Sequence, residues 1–241
     1  LPYKDREKTG HKGGALASTS VSIGPTGSVY VTCYSLPQGQ GHKTILSQIV
    51  ADAFGIKIND VFVNTTHDTH KDAWSIAAGN YSSRFAGAVA GSAFNAAINL
   101  KKKLQKIAAS ELNCKSENIL FGTGKVYDKK NSDNYLNFKR LAGIPHWSPE
   151  NLPEKMNPSL KETVFWGNEK LSPPNEKDEI NGSLAYGFVF DVCGIEIDPI
   201  TSKIKIDEYV TGHDAGKIIN PLLANGQIYG AYAHAVGASL L

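Results

Sequence analysis

The chain has 241 residues, 41% of them hydrophobic and 20% charged, with a formal net charge of +2. So balanced a charge argues against a dedicated nucleic-acid binder, which gathers a basic excess on one face. No apolar run reaches the roughly 18 residues needed to span a bilayer. The three cysteines, Cys33, Cys114 and Cys193, lie far apart without a C-x-x-C spacing, so this chain alone can hold neither an iron–sulfur cluster nor a cysteine-type zinc site. Sparse, odd thiols point to a reducing, cytoplasmic setting.

In chain order, residues 15–23 and 28–34 read as strands rich in β-branched residues, with turn chemistry at Gly24, Pro25, Thr26 and Gly27 between them. A glycine-rich loop follows, containing Gln38, Gly39, Gln40 and Gly41. The apolar spacing of Ile45, Ile49, Val50 and Phe54 then predicts a helix. Residues 59–64 form a short strand, and 84–112 make the longest helical stretch, which opens with small residues and carries Lys101, Lys102 and Lys103 on a solvated face. Each glycine in that opening costs about 1 kcal/mol relative to alanine, so tight packing or ligand approach must require it. Six prolines between 129 and 182 predict a long ordered surface loop, with Trp147 and Trp166 facing a substrate channel or a partner. Residues 185–198 and 203–211 form a hairpin, and Asn220-Pro221 opens a final helix with proline in its first turn. These elements divide the chain into a first half over 1–128, the proline-rich loop over 129–182, and a hairpin-plus-helix part over 183–241. The expected fold class is α/β (α+β): a mixed sheet packed by long helices. The chain begins at Leu1 and stops at Leu241 inside an apolar helical run, so both ends are expected to be cuts in a longer protein.

Three constellations carry chemistry. Gln40, Gly41, His42, Lys43 and Thr44 follow a strand and open a helix, where backbone N–H groups and the helix dipole favour an anionic ligand; a plain tight turn is the alternative. Tyr81, Ser82, Ser83 and Arg84 stand at the start of the small-residue helix, as caps or as a second anion cradle. Gln227 sits among Leu222, Leu223, Ile228 and Ala231, and a buried amide there needs partners. The H-x-x-H spacing of His67 and His70 is read as a loop feature rather than a metal site, Asp214 as a buried holder of a strand-to-helix turn, and Cys193 as a core thiol.

In this order, the stretches PTGSVYVTCYSLPQGQGHKT, GNYSSRFAG and GIEIDPITSKIKIDEYVTGHDAGKIINPLLANGQIYGA resemble the molybdopterin-binding large subunit of the xanthine dehydrogenase/aldehyde oxidase (molybdenum hydroxylase) family, from about residue 15 onward. Ser202 departs from the pattern, standing where the family's hairpin turn carries glycine. The resemblance implies that Gly39, Gln40 and Gly41 contact the pterin and metal centre, with His42 and Thr44 extending that loop. Tyr81, Ser82, Ser83 and Arg84 match the segment near the cofactor's phosphate end, and Gln227 matches a glutamine that hydrogen-bonds the pterin.

It further implies hydroxylation of an aldehyde or N-heterocycle with oxygen drawn from water. Electrons would leave through iron–sulfur clusters to FAD on partner subunits or domains of a hetero-oligomer. The cofactor is expected to be molybdopterin, plain or as the cytosine dinucleotide. No residue here binds the metal directly, and the catalytic glutamate is expected beyond Leu241, which leaves this piece inactive by itself. Carbon monoxide oxidation, action on a coenzyme A thioester, and a non-catalytic interaction module that keeps the fold are the alternatives.

Overall fold

The computed structural model describes residues 17–66, 70, 84–167, 170, 175–177, 179, 181 and 186–240. The chain divides into two compact units, Leu1–Leu184 and Ala185–Leu241.

In the first unit, β1 (Ala17–Ile23) and β2 (Val29–Cys33) pair antiparallel, joined by the expected turn. Helix α1 (His42–Phe54) then crosses over to β3 (Val61–Asn64), which pairs parallel to β2; residues 59 and 60, expected as strand, belong instead to a tight 3-10 turn, Ile58–Asp60. Gly55 ends α1 at φ 62, and a Cβ there would lie 2.7 Å from the Gly122 Cα, so both the conformation and the close approach demand glycine.

The predicted small-residue helix begins with a widened π-type turn, Phe85–Ala90, before α2 (Gly91–Glu111). The cause is local. The Ser92 hydroxyl donates to the Val89 carbonyl at 2.8 Å, the Thr19 hydroxyl reaches the same carbonyl at 3.5 Å, and the two hydroxyls lie 2.6 Å apart. Side-chain donors compete there with the helix's own N–H groups. The glycine at the junction is explained by packing, since a Cβ on Gly91 would sit 2.3 Å from the Trp166 ring. Beyond it, Ala93, Ala96, Ala97, Leu100, Leu104, Ile107 and Ala108 are buried at helical spacing. From Ala96 onward they close the main core with Val21, Val29, Val31, Val50 and Phe54, while Ala93 joins a second, smaller core.

The expectation of a long loop over 129–182 is corrected by the structure. After β4 (Ile119–Gly122) and β5 (Lys125–Asp128), the chain forms β6 (Asn131–Asn137), then α3 (Phe138–Trp147), and later β7 (Lys161–Trp166). The prolines punctuate these elements rather than abolish them: Pro145 lies in the last turn of α3, and Pro149 opens a short 3-10 turn. Strand β7 returns to pair antiparallel with β1, completing a mixed four-stranded sheet of order β3-β2-β1-β7. Strands β4, β5 and β6 form a separate antiparallel meander.

The second unit is the predicted hairpin, β8 (Phe188–Ile197) with β9 (Ile204–Asp214), followed by α4 (Pro221–Leu240). Tyr232 of α4 packs its ring on Tyr209 of β9 at 4.5 Å. Ser202 takes the left-handed conformation at φ 56, the geometry its turn position requires.

Candidate cofactor-binding site

Because β2 and β3 run parallel, their carboxyl ends open on the same edge of the sheet. The loop after β2 carries the first constellation, and the chain after β3 leads to Arg84. In α/β sheets, ligands bind at such edges because the following helices direct their N-termini there.

The first loop is exposed at Leu36, Pro37, Gln38 and Gly39, and half-buried at Gln40 and Gly41. Gly39 and Gly41 have φ of 103 and 80, so the backbone turns twice through the left-handed region, and among the described residues no heavy atom occupies the space a Cβ of Gly39 would take. Helix α1 has no side-chain cap at Gly41 and no acidic residue in its first turn, which keeps its first N–H groups clear of the helix's own side chains. The Gln38 N–H donates to Gln40 Oε1, which engages the amide oxygen within the loop and so orients the side-chain amide. Thr44 is exposed one turn into α1.

His42 differs from its neighbours. It is 2% exposed, its Nδ1 lies 3.2 Å from Ser35 Oγ, and its ring stacks on Phe85 with centroids 3.8 Å apart. Burial, opposed by a hydrogen bond with the Ser35 backbone, lowers its pKa and favours the neutral imidazole. Beneath lies a second core of Ala17, Cys33, Leu46, Ala88, Val89 and Ala93. Burial pushes the Cys33 thiol up to about 12, which makes it an inert packing group.

Phe85 follows Arg84, which is 7% exposed at the start of the π-type turn. The ring stack therefore brings the first constellation against the second. Tyr81, Ser82 and Ser83 lie outside the described residues, as does His67 of the H-x-x-H pair. Sequence reasoning missed Ser35 and Phe85. Periodicity within one helix carries no signal for a contact across 43 positions, whereas Ser35 could have been flagged as a polar residue closing a strand before a glycine-rich loop.

In the second unit, Asn220 Oδ1 accepts from the Leu223 N–H as an N-cap and Pro221 opens α4. Gln227 is exposed on α4, so the expectation that it needs buried partners does not apply within this unit. Asp214 accepts from the Gly216 N–H at 3.1 Å and so holds the strand-to-helix turn, but it is exposed rather than buried. Cys193 is exposed within this unit as well, and it stands opposite Tyr209 in the hairpin register. Among the described residues, no helix is long and apolar enough to cross a membrane.

A mixed sheet with a glycine-turned, helix-opening loop at the carboxyl ends of its parallel strands, and a nearly buried guanidinium beside the ring that stacks on that loop's base, is an α/β domain with a polar site suited to a cofactor. The chain belongs to the molybdopterin cofactor-binding domain family, whose profile matches residues 3–241. It is 28% identical to the nicotine 6-hydroxylase large subunit of Paenarthrobacter nicotinovorans, over 92% of this chain and 25% of that protein. It is 31% identical to the carbon monoxide dehydrogenase large chain of Hydrogenophaga pseudoflava, over 94% of this chain and 26% of that one. The crystal structure of quinoline 2-oxidoreductase from Pseudomonas putida 86 matches with a TM-score of 0.80 and 27% identity, over 92% of this chain and 26% of that one. The chain thus spans about a quarter of the length of these relatives, and its mixed α/β fold is that of the molybdenum hydroxylase domains.

Proposed function

We propose that this chain supplies part of the molybdenum-cofactor cradle of an oxidoreductase that hydroxylates an electron-poor substrate, an N-heterocycle or an aldehyde. The observation that carries this reading is the meeting of the Gln40 loop and the Arg84 turn on one sheet edge, through the His42–Phe85 stack. A molybdopterin is a fused polar ring system ending in phosphate, and the residues present suit both parts. The Gln40 amide and the N–H groups around Gly39 and Gly41 suit the ring edge, with Thr44 one turn on. Arg84 and two helix starts suit the phosphate end, where each helix start is worth about 0.3–1 kcal/mol to an anion. Tyr81, Ser82 and Ser83 lead directly into Arg84 and are assigned to the same end; Gln227 is assigned to the pterin from the second unit.

When bound, the molybdenum centre supplies two-electron chemistry with oxygen drawn from water. The chain's own residues hold and orient the pterin, and the general base lies elsewhere in the longer protein. Iron–sulfur and FAD partner subunits or domains in a cytoplasmic hetero-oligomer complete the electron path, and the cofactor is molybdopterin, plain or as the cytosine dinucleotide. The names nicotine 6-hydroxylase and quinoline 2-oxidoreductase among the relatives favour a nitrogen heterocycle. The carbon monoxide dehydrogenase large chain at 31% identity supports carbon monoxide oxidation as a second reading.

The test is metal and pterin analysis of the full-length protein purified with its partner subunits, beside Gln40→Ala. About one molybdenum and one pterin per chain are expected, with pterin reduced at least about tenfold in the variant, equivalent to about 1.4 kcal/mol. A folded protein without either would sink the reading. Turnover of pyridine or quinoline rings, against turnover of carbon monoxide, separates the two substrate classes.

A further inference from the structure

We infer that His42 is a positioning residue that locks the Gln40 loop to the Arg84 turn, and that its ring does not touch the cofactor. The inference rests on the reading of these two segments as a cofactor cradle.

The loop has little of its own to hold it. Its tip is exposed, and both glycines leave it without side-chain packing at Gly39 and Gly41. Its two ends, by contrast, are buried: Ser35 is 0% exposed and His42 is 2% exposed, and their side chains meet at 3.2 Å across the base of the loop. The same imidazole lies flat on Phe85, with an interplanar angle of 8°. One ring therefore closes the first loop and also fixes the residue next to Arg84. With His42 only 2% exposed, one nitrogen on Ser35 and one face on Phe85, the ring offers a ligand almost no open surface. What it controls is the spacing between the Gln40 amide and the Arg84 guanidinium, which a ligand spanning the two must match.

The test uses the full-length protein with its partner subunits and two substitutions that separate the contacts. His42→Phe keeps a ring on Phe85 and loses the bond to Ser35. His42→Asn keeps a polar group toward Ser35 and loses the stack. The first readout is the rate of pterin release, compared with the melting temperature of the pterin-free protein. We expect release to quicken on the order of tenfold in His42→Asn and by less in His42→Phe, in each case beyond what the drop in pterin-free melting accounts for. We also expect His42→Asn to add little in a Gln40→Ala background, because the lock acts through that loop.

The second readout is modification of wild-type His42 by diethyl pyrocarbonate, followed by peptide mass analysis. A positioning ring stays unmodified with or without pterin. Modification of His42 in the pterin-free protein with protection in the loaded one would make it a ligand and overturn the inference. So would pterin release unchanged in both variants. A wild-type protein lacking pterin would instead overturn the cradle reading itself.

Discussion

The two glutamines sit in opposite settings. Gln40 stands on a loop whose base is buried and hydrogen-bonded, above a core that the first unit closes with its own residues. Gln227 stands on a helix with no buried residue at all, in a unit that exposes Phe188, Phe190, Ile197, Leu222 and Tyr229. The 20 residues of α4 include no Asp, Glu, Lys or Arg. A helix that is apolar all round is built to be enclosed in a larger protein. The first unit thus holds the base of the Gln40 loop from within, while the second presents a glutamine whose setting depends on what packs around it.

The largest effect that can break this contrast is core truncation. Leu104→Ala removes a fully buried side chain from the first unit and should cost about 2–5 kcal/mol in denaturant unfolding of the chain. Leu222→Ala, at a position 81% exposed, should change stability by no more than about 0.5 kcal/mol. A loss at Leu222 as large as that at Leu104 would mean that α4 already rests in a closed core.

A smaller effect sharpens the description of the second unit. Ser202 holds a left-handed backbone at φ 56 where the related pattern has glycine, and its N–H donates to the Asp198 carbonyl at 2.8 Å. Ser202→Gly removes the steric cost of that conformation but adds chain entropy to the unfolded state. A net gain of about 0.5 kcal/mol is expected, visible as roughly twofold slower amide exchange at the hairpin turn. Faster exchange would show that serine is no burden there.

The smallest effect is a pH dependence at the same turn. The Asp198 carboxylate accepts from the Thr201 and Ile200 N–H groups, which lowers its pKa from the ordinary 3.8. The turn's contribution is therefore full above pH 3.8 and is lost as pH falls through the lower folded value. Carboxyl-carbon NMR should place the midpoint below 3.8, and Asp198→Asn should keep the turn without this acid sensitivity. A midpoint at or above 3.8 would remove the hydrogen bonds from the account.

The elements that follow local rules were legible in the sequence. The hairpin strands, the α1 spacing and the Asn220-Pro221 helix start are set by periodicity and turn chemistry within a few residues. What stayed hidden depends on distant partners or on atypical punctuation. Strand β7 opens with Lys161 and Glu162 and is exposed at Lys161 and Phe165, so nothing in its own pattern shows that it pairs with β1. The β4–β5 turn uses Thr123-Gly124, with φ of 52 and 74, in place of the more familiar Asn-Gly. The resemblance located the first loop, but the opposite fates of Gln40 and His42, half-exposed and buried, came only from the contact with Phe85.

The hydroxyls of Ser20 and Thr163, which meet across β1 and β7, are 143 positions apart. At ribosomal rates of about 5–20 residues per second, β1 waits roughly 7–30 s for its second neighbour to be synthesised. Throughout that interval its free edge is a template for pairing with another nascent chain. The run Ala17, Ser18, Thr19, Ser20 keeps the segment short of the apolar character that such cross-pairing needs. The hydroxyl-rich strand thus serves the chain during synthesis as well as in the finished sheet.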